Sequence, residues 1–151
     1  MTAADKIWVI GYGNPHRRDD GVGPRVIRGL APRLKGREDV RLLALTQLGP
    51  ELIGDLKEAR GLILVDATEE DLEGGRQWSM VQPEPGVLPC LTHHVTPRFL
   101  LGLLQSLYGH CPPCRLVSVQ GRDFGYGPGL SRPTEETARE VISEIVDRIL
   151  M

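Results

Sequence analysis

Two adjacent carboxylates, Asp19 and Asp20, stand in a glycine-rich run that opens Gly11-Tyr12-Gly13-Asn14 and closes Gly21-Val22-Gly23. A third, Asp66, follows the apolar run Leu62-Ile63-Leu64-Val65, and a histidine doublet, His93-His94, comes just before Thr96-Pro97. Carboxylates gathered in one crevice raise one another's pKa values unless a cation offsets them, and carboxylates joined by an imidazole suit a transition metal. Asp19, Asp20 and Asp66, with one of His93 and His94, are therefore candidate metal-contacting residues. Of the two histidines, His94 is the nearer to the helix start that Thr96-Pro97 announces. Gln47 and Glu51 flank the end of another β-branched run and are candidates for holding a ligand by hydrogen bonds, though Glu51 fits the first turn of a helix equally well. Taken singly, each acid has a simpler role. Asp20 can cap the following helix, Asp66 a turn, and either histidine can be an ordinary surface residue.

These side chains need a scaffold that brings distant segments together. Apolar, β-branched runs recur at 6–10, 40–45, 61–65, 77–81 and 115–119, and helical spacing at 23–34, 50–58, 97–108 and 134–150. Strands alternating with helices predict a three-layer α/β/α sandwich on a mostly parallel, twisted sheet of about five strands, because parallel neighbours need crossover connections. In such a sheet the segments leaving the strand carboxyl ends emerge on one edge, where ligands bind. The segments carrying Asp20, Asp66 and His94 are thus expected to converge. The last helix shows an apolar stripe through Val141, Ile142, Ile145 and Ile149, with Glu144 and Arg148 as an expected solvated pair. Prolines and a glycine between Gln82 and Pro89 predict an irregular connection, a candidate mobile loop over the site.

At 151 residues a single domain spanning 1–151 is expected. Lys and Arg number 18 against 20 Asp and Glu, and aromatics make up 5%, so neither a basic nucleic-acid surface nor a base-stacking platform is suggested. The longest apolar runs are strand-sized and the first residues carry no export pattern, so no membrane association is expected and the cytoplasm is the expected location. The odd count of cysteines, Cys90, Cys111 and Cys114, argues against a disulfide framework. Cys111-Pro112-Pro113-Cys114 has redox spacing but precedes a strand rather than opening a helix, and has no second Cys/His pair to complete a zinc site. A dinucleotide fingerprint would need a glycine where His16 stands, and Asp19-Asp20 would repel a pyrophosphate. No Gly-x-Ser-x-Gly elbow and no Cys/His nucleophile arrangement is present.

The Gly11-Tyr12-Gly13-Asn14 opening with Asp19-Asp20-Gly21-Val22-Gly23, the Val65-Asp66-Ala67 strand end and the His93-His94-Val95-Thr96-Pro97 segment resemble the hydrogenase maturation proteases over almost the whole chain. That resemblance implies an endopeptidase that removes the C-terminal extension of a nickel-iron hydrogenase large-subunit precursor after nickel insertion. It puts Asp20, Asp66 and His94 at the three positions that contact metal in the family, Asp20 at one that takes aspartate or glutamate, and leaves Asp19 as a neighbour. Nickel would then be carried by the substrate, with no organic cofactor; the lack of a Ser or Cys nucleophile leaves Asp20 and Asp66 as the candidate catalytic carboxylates, either one the base, of an aspartate- and metal-dependent peptidase. Thr46-Gln47-Leu48-Gly49-Pro50-Glu51 departs from the glycine-rich sequence many members have after the second strand. Two other functions use the same residues: a self-contained metallohydrolase holding its own zinc, and a non-catalytic nickel-handling protein that docks on the precursor. Nothing in the sequence demands assembly, and a monomer is expected.

Overall fold

A computed structural model describes residues 6–87 and 94–150. The strands are β1 (Ile7–Tyr12), β2 (Val40–Leu45), β3 (Gly61–Thr68), β4 (Arg76–Met80) and β5 (Cys114–Gln120), and the helices α1 (Val22–Arg33), α2 (Ile53–Leu56), α3 (Pro97–Tyr108) and α4 (Arg132–Leu150). The sheet runs in the order β2-β1-β3-β5-β4. β1, β2, β3 and β5 are parallel, and β4 alone lies antiparallel, against β5. The reason is chain length. The link at 69–75 between β3 and β4 is too short for a crossover helix, so β4 must return along the sheet edge.

Period-two alternation sorts each central strand between two cores. Val9, Ile63, Val65, Val117 and Val119 pack with the apolar stripes of α1 and α4 on one face. Trp8, Ile10, Tyr12, Leu62 and Leu64 pack with Leu56 of α2 and Leu100, Leu101 and Leu104 of α3 on the other. The expected three-layer architecture is present, with two differences that matter to the site. β1 and β3 run further than the apolar runs predicted, so Tyr12 and Asp66 are strand residues whose side chains obey the strand alternation. The second helical segment is a 3-10 turn, Pro50–Leu52, running into the short α2, because Pro50 opens it and Gly54 weakens its interior.

One further expectation is corrected. Glu144 does not pair with Arg148. It pairs with Arg76 and accepts the Trp78 indole N–H at 2.9 Å, while Arg148 lies over the Trp78 ring at 3.9 Å, so the last helix clamps the edge strand. The described part of the 82–89 connection is strapped to α3: Glu84 N–H donates to the Arg98 carbonyl at 3.0 Å, the Ser106 hydroxyl donates to the Val87 carbonyl at 2.5 Å, and Val87 fills the space above Gly102. Residues 88 and 89 lie outside the described residues.

Candidate functional site

The strand order reverses direction at β1: the chain leaves β1 for β2 on one side and returns to β3 on the other. The crevice at the carboxyl ends of β1 and β3 is therefore the topological switch point, where open α/β sheets bind ligands. Gly11 is opposite Val65 in the register. One step further, on the face that also holds Ile10 and Leu64, Tyr12 comes beside Asp66. Ser118 of β5 is the register partner of Asp66 on its other side.

Asp66 is half-buried, and burial pushes its carboxyl up to about 6. The Tyr12 hydroxyl, the Ala67 N–H and His94 pull in the opposite direction, and the negative charge of Asp20 adds to the rise. Tyr12 in turn is held well above the usual tyrosine range, first by burial and then by the Asp66 charge. The hydroxyl lies close enough for this influence, yet it is buried and completes no hydrogen bond of ordinary geometry among the described residues.

Asp20 reaches the crevice through a tight loop. Gly13 has φ +144° and packs on the Asp20 carbonyl so closely that a Cβ could not be placed there. The Asp20 carboxylate accepts the Asn14 N–H at 2.7 Å, and the Asn14 side chain accepts the His16 N–H at 2.9 Å. Capping is thus excluded as its role: Gly21 is the N-cap of α1, and no side chain caps that helix. The glycines of the run serve mainly backbone contact. A Cβ on Gly23 would meet Tyr12 N, Tyr12 O and Val65 O at 2.5, 2.7 and 2.8 Å, so the start of α1 rests directly on the ends of β1 and β3.

Asp19 points away from the crevice into a cradle of its own. It accepts the N–H groups of Arg122, Asp123 and Ser131 at 2.7, 3.1 and 2.7 Å and the hydroxyls of Ser131 and Thr134 at 2.7 and 3.0 Å. Burial alone would raise its pKa, but these hydrogen bonds hold the carboxyl below the usual range. Its role is to fasten the 13–21 loop to the segment between β5 and α4. Nothing local in the sequence signals this, since the partners lie more than 100 positions away.

His94 sits two residues before Thr96, which caps α3 by accepting the Phe99 N–H at 3.1 Å. Gln47, Gly49, Glu51 and His94 line a cleft of about 250 Å³ beside the crevice. The Glu51 carboxylate occupies the space that a side chain on Gly49 would fill. Asp20 and His94 thus each lie close enough to Asp66 to act on its charge, and His94 shares its cleft with Gln47 and Glu51. Among the described residues no three His, Cys, Asp or Glu side chains are already closed into a metal-binding group. His93 and Cys90 lie outside the described residues. Tyr12 and Ser118 were missed by motif, although strand parity and register identify both.

The two described thiols stand far from this chemistry. Cys114 begins β5 opposite Leu62, toward the other end of the sheet from Asp66, and burial with the nearby Cys111 pushes it up to about 12. Burial also raises Cys111. Neither is an activated nucleophile.

No protein-family model matches the sequence, and no curated protein matches it. Solved structures do. The hydrogenase maturating endopeptidase HybD from Escherichia coli superposes with a TM-score of 0.74 at 24% identity, covering 93% of this chain and 89% of that one. The NiFe hydrogenase maturation protease HycI from Thermococcus kodakarensis gives 0.71 at 22% identity, with 95% and 91% covered. A hydrogenase 2 maturation peptidase from a Thaumarchaeota archaeon gives 0.68 at 20%, with 95% and 97% covered. Over 93–95% of its length, this chain has the α/β fold of the hydrogenase maturation proteases.

Proposed function

We propose that this chain is an endopeptidase that removes the C-terminal extension of a nickel-iron hydrogenase large-subunit precursor once nickel has been inserted. The observation that carries the reading is the electrostatic coupling of Asp66 with Asp20 and His94 at the switch point, in the fold shared with HybD and HycI. Two carboxylates and an imidazole are donors that fit nickel, and here the metal belongs to the substrate. Asp20, Asp66 and His94 recognise it, and the scissile peptide is thereby held against the same carboxylates.

Cleavage is hydrolysis. A water oxygen bonds to the scissile carbonyl carbon, the C–N bond breaks, and the proton taken from the water passes to the departing amine. Asp66 is the base of the two carboxylates, being half-buried at the end of β3 beside the Tyr12 hydroxyl, with its carboxyl raised by burial before any metal arrives. Asp20 then orients the metal. Gln47 and Glu51 extend the polar surface next to His94 and act in substrate recognition. Neither Cys111 nor Cys114, both raised above the usual thiol range, offers a covalent route, and no serine elbow is present.

The test is to incubate the protein with nickel-loaded and nickel-free precursor and read both by intact-protein mass spectrometry. Loss of a discrete C-terminal peptide from the nickel-loaded form alone supports the proposal. Cleavage of both forms overturns the nickel requirement in favour of a self-contained metallohydrolase, and binding without cleavage of either makes the protein a docking factor.

A further inference from the structure

On the α1 and α4 side of the 13–21 loop, away from His94, lies a second cleft of about 340 Å³. His16, Arg18, Arg25 and Arg28 face it, against a single acid, Glu135. That acid is already committed. It accepts both arms of Arg25 at 2.9 and 2.8 Å and Nε of Arg139 at 2.9 Å. Arg18 has only a distant carboxylate, Asp123 at 3.9 Å, with both side chains about half exposed, 45% and 53%. Arg28 makes no ion pair among the described residues.

The chain as a whole carries a formal charge of −2, so this positive charge is a local feature. The walls are Pro15, Pro24 and Pro128, which offer no backbone N–H and are fixed in φ, so the cleft is formed before anything enters it. Uncommitted guanidinium groups in a rigid cleft match carboxylates through two-point hydrogen bonds. A polynucleotide would need a basic stripe tracking its backbone, whereas this is one bounded cleft. It begins at Gly21, the residue after Asp20.

We propose that this cleft is a docking subsite for an acidic segment of the polypeptide substrate, held between Arg18 and Arg28 while the scissile region lies over Asp20 and Asp66. The identity of that polypeptide rests on the endopeptidase reading above; the preference for acidic peptide does not.

Two measurements separate these. In the first, a fluorescein-labelled hexaglutamate peptide and its hexaglutamine counterpart are titrated with the protein at low salt and followed by anisotropy. Wild type is expected to bind the glutamate peptide alone, the Arg18→Glu/Arg28→Glu variant to bind it at least about 10-fold more weakly, and salt to weaken it strongly. In the second, the same variant is expected to raise KM for the precursor about 10-fold with kcat nearly unchanged. Arg28→Gln, an exposed substitution on α1, is the milder variant should the double one fail to fold, and it should move both readouts in the same direction. Equal binding of the two peptides, an unchanged KM, or displacement of the glutamate peptide by equimolar inorganic phosphate would overturn the subsite. Glutamate-selective binding by a protein that cleaves no precursor would overturn the endopeptidase reading and leave the subsite standing.

Discussion

The Asp66 carboxylate lies against the buried Tyr12 hydroxyl, where burial and the carboxylate's own charge keep the phenol protonated far above the usual tyrosine range. Of the pair, Asp66 is therefore the member that titrates. Its carboxyl sits at about 6 in the folded protein against an ordinary 3.8.

This displacement makes the first prediction a matter of sign. Between those two values the folded state holds the proton more tightly than the unfolded state, so the Asp66 contribution to stability is full below pH about 4 and is lost as pH rises through about 6. Asp66→Asn removes the buried charge. Urea unfolding should find it about 1–3 kcal/mol more stable than wild type at pH 7, with the gap closing toward pH 4. A variant equal to or less stable than wild type at pH 7 would contradict the assignment.

Asp20→Asn and His94→Ala should separate activity from stability. Neither side chain holds the fold together: Asp20 accepts one loop N–H and His94 is exposed. Each substitution should leave unfolding within about 0.5 kcal/mol of wild type and slow processing of nickel-loaded precursor about 100-fold or more. Processing at full rate in either would sink the metal-contact role.

Asp19→Asn should behave the other way. An amide cannot accept the five hydrogen bonds that converge on Asp19, and the loss should be about 3 kcal/mol. Because this carboxyl is held below its usual range, its stabilisation is present above the ordinary value and disappears as pH falls through the depressed one. Acid unfolding of wild type should accordingly be steeper than that of the variant below pH about 4.

Gly13→Ala tests the loop itself. With φ at +144° and the Asp20 carbonyl in the way, an alanine must displace the segment that carries Asp20. A cost of about 2 kcal/mol or more is expected. Restoring bulk stability with osmolyte should not restore processing, since the carboxylate would remain displaced.

Much of the arrangement is legible in the residues themselves. The alternation of apolar runs and helical stripes predicts the parallel sandwich, and the rule that open α/β sheets bind ligands at their strand carboxyl edge brings the segments of Asp20, Asp66 and His94 together. What failed, failed for non-local reasons. Asp19 and Asp20 are chemically identical neighbours, and only the 122–134 segment, distant in sequence, decides that one is an internal anchor and the other faces the crevice. Glu144 had a helical neighbour of the right charge at i+4 but found a stronger partner on β4, where Arg76 and Trp78 both donate to it. Tyr12 is hidden because Gly11 interrupts the apolar run after Ile10. Once β1 is seen to continue, alternation alone turns the phenol toward Asp66.

Gly23 seats the first turn of α1 on the backbone of Tyr12 and Val65. The gauge between the two acidic side chains is consequently set by main-chain packing, like the fixed jaws of a caliper, and cannot be widened by loop motion without unseating a helix from the sheet. In this scaffold the cheap adjustment is the length of the side chain mounted on the jaw at position 20. A lineage can retune its reach into the crevice there with a single methylene while leaving every strand where it is.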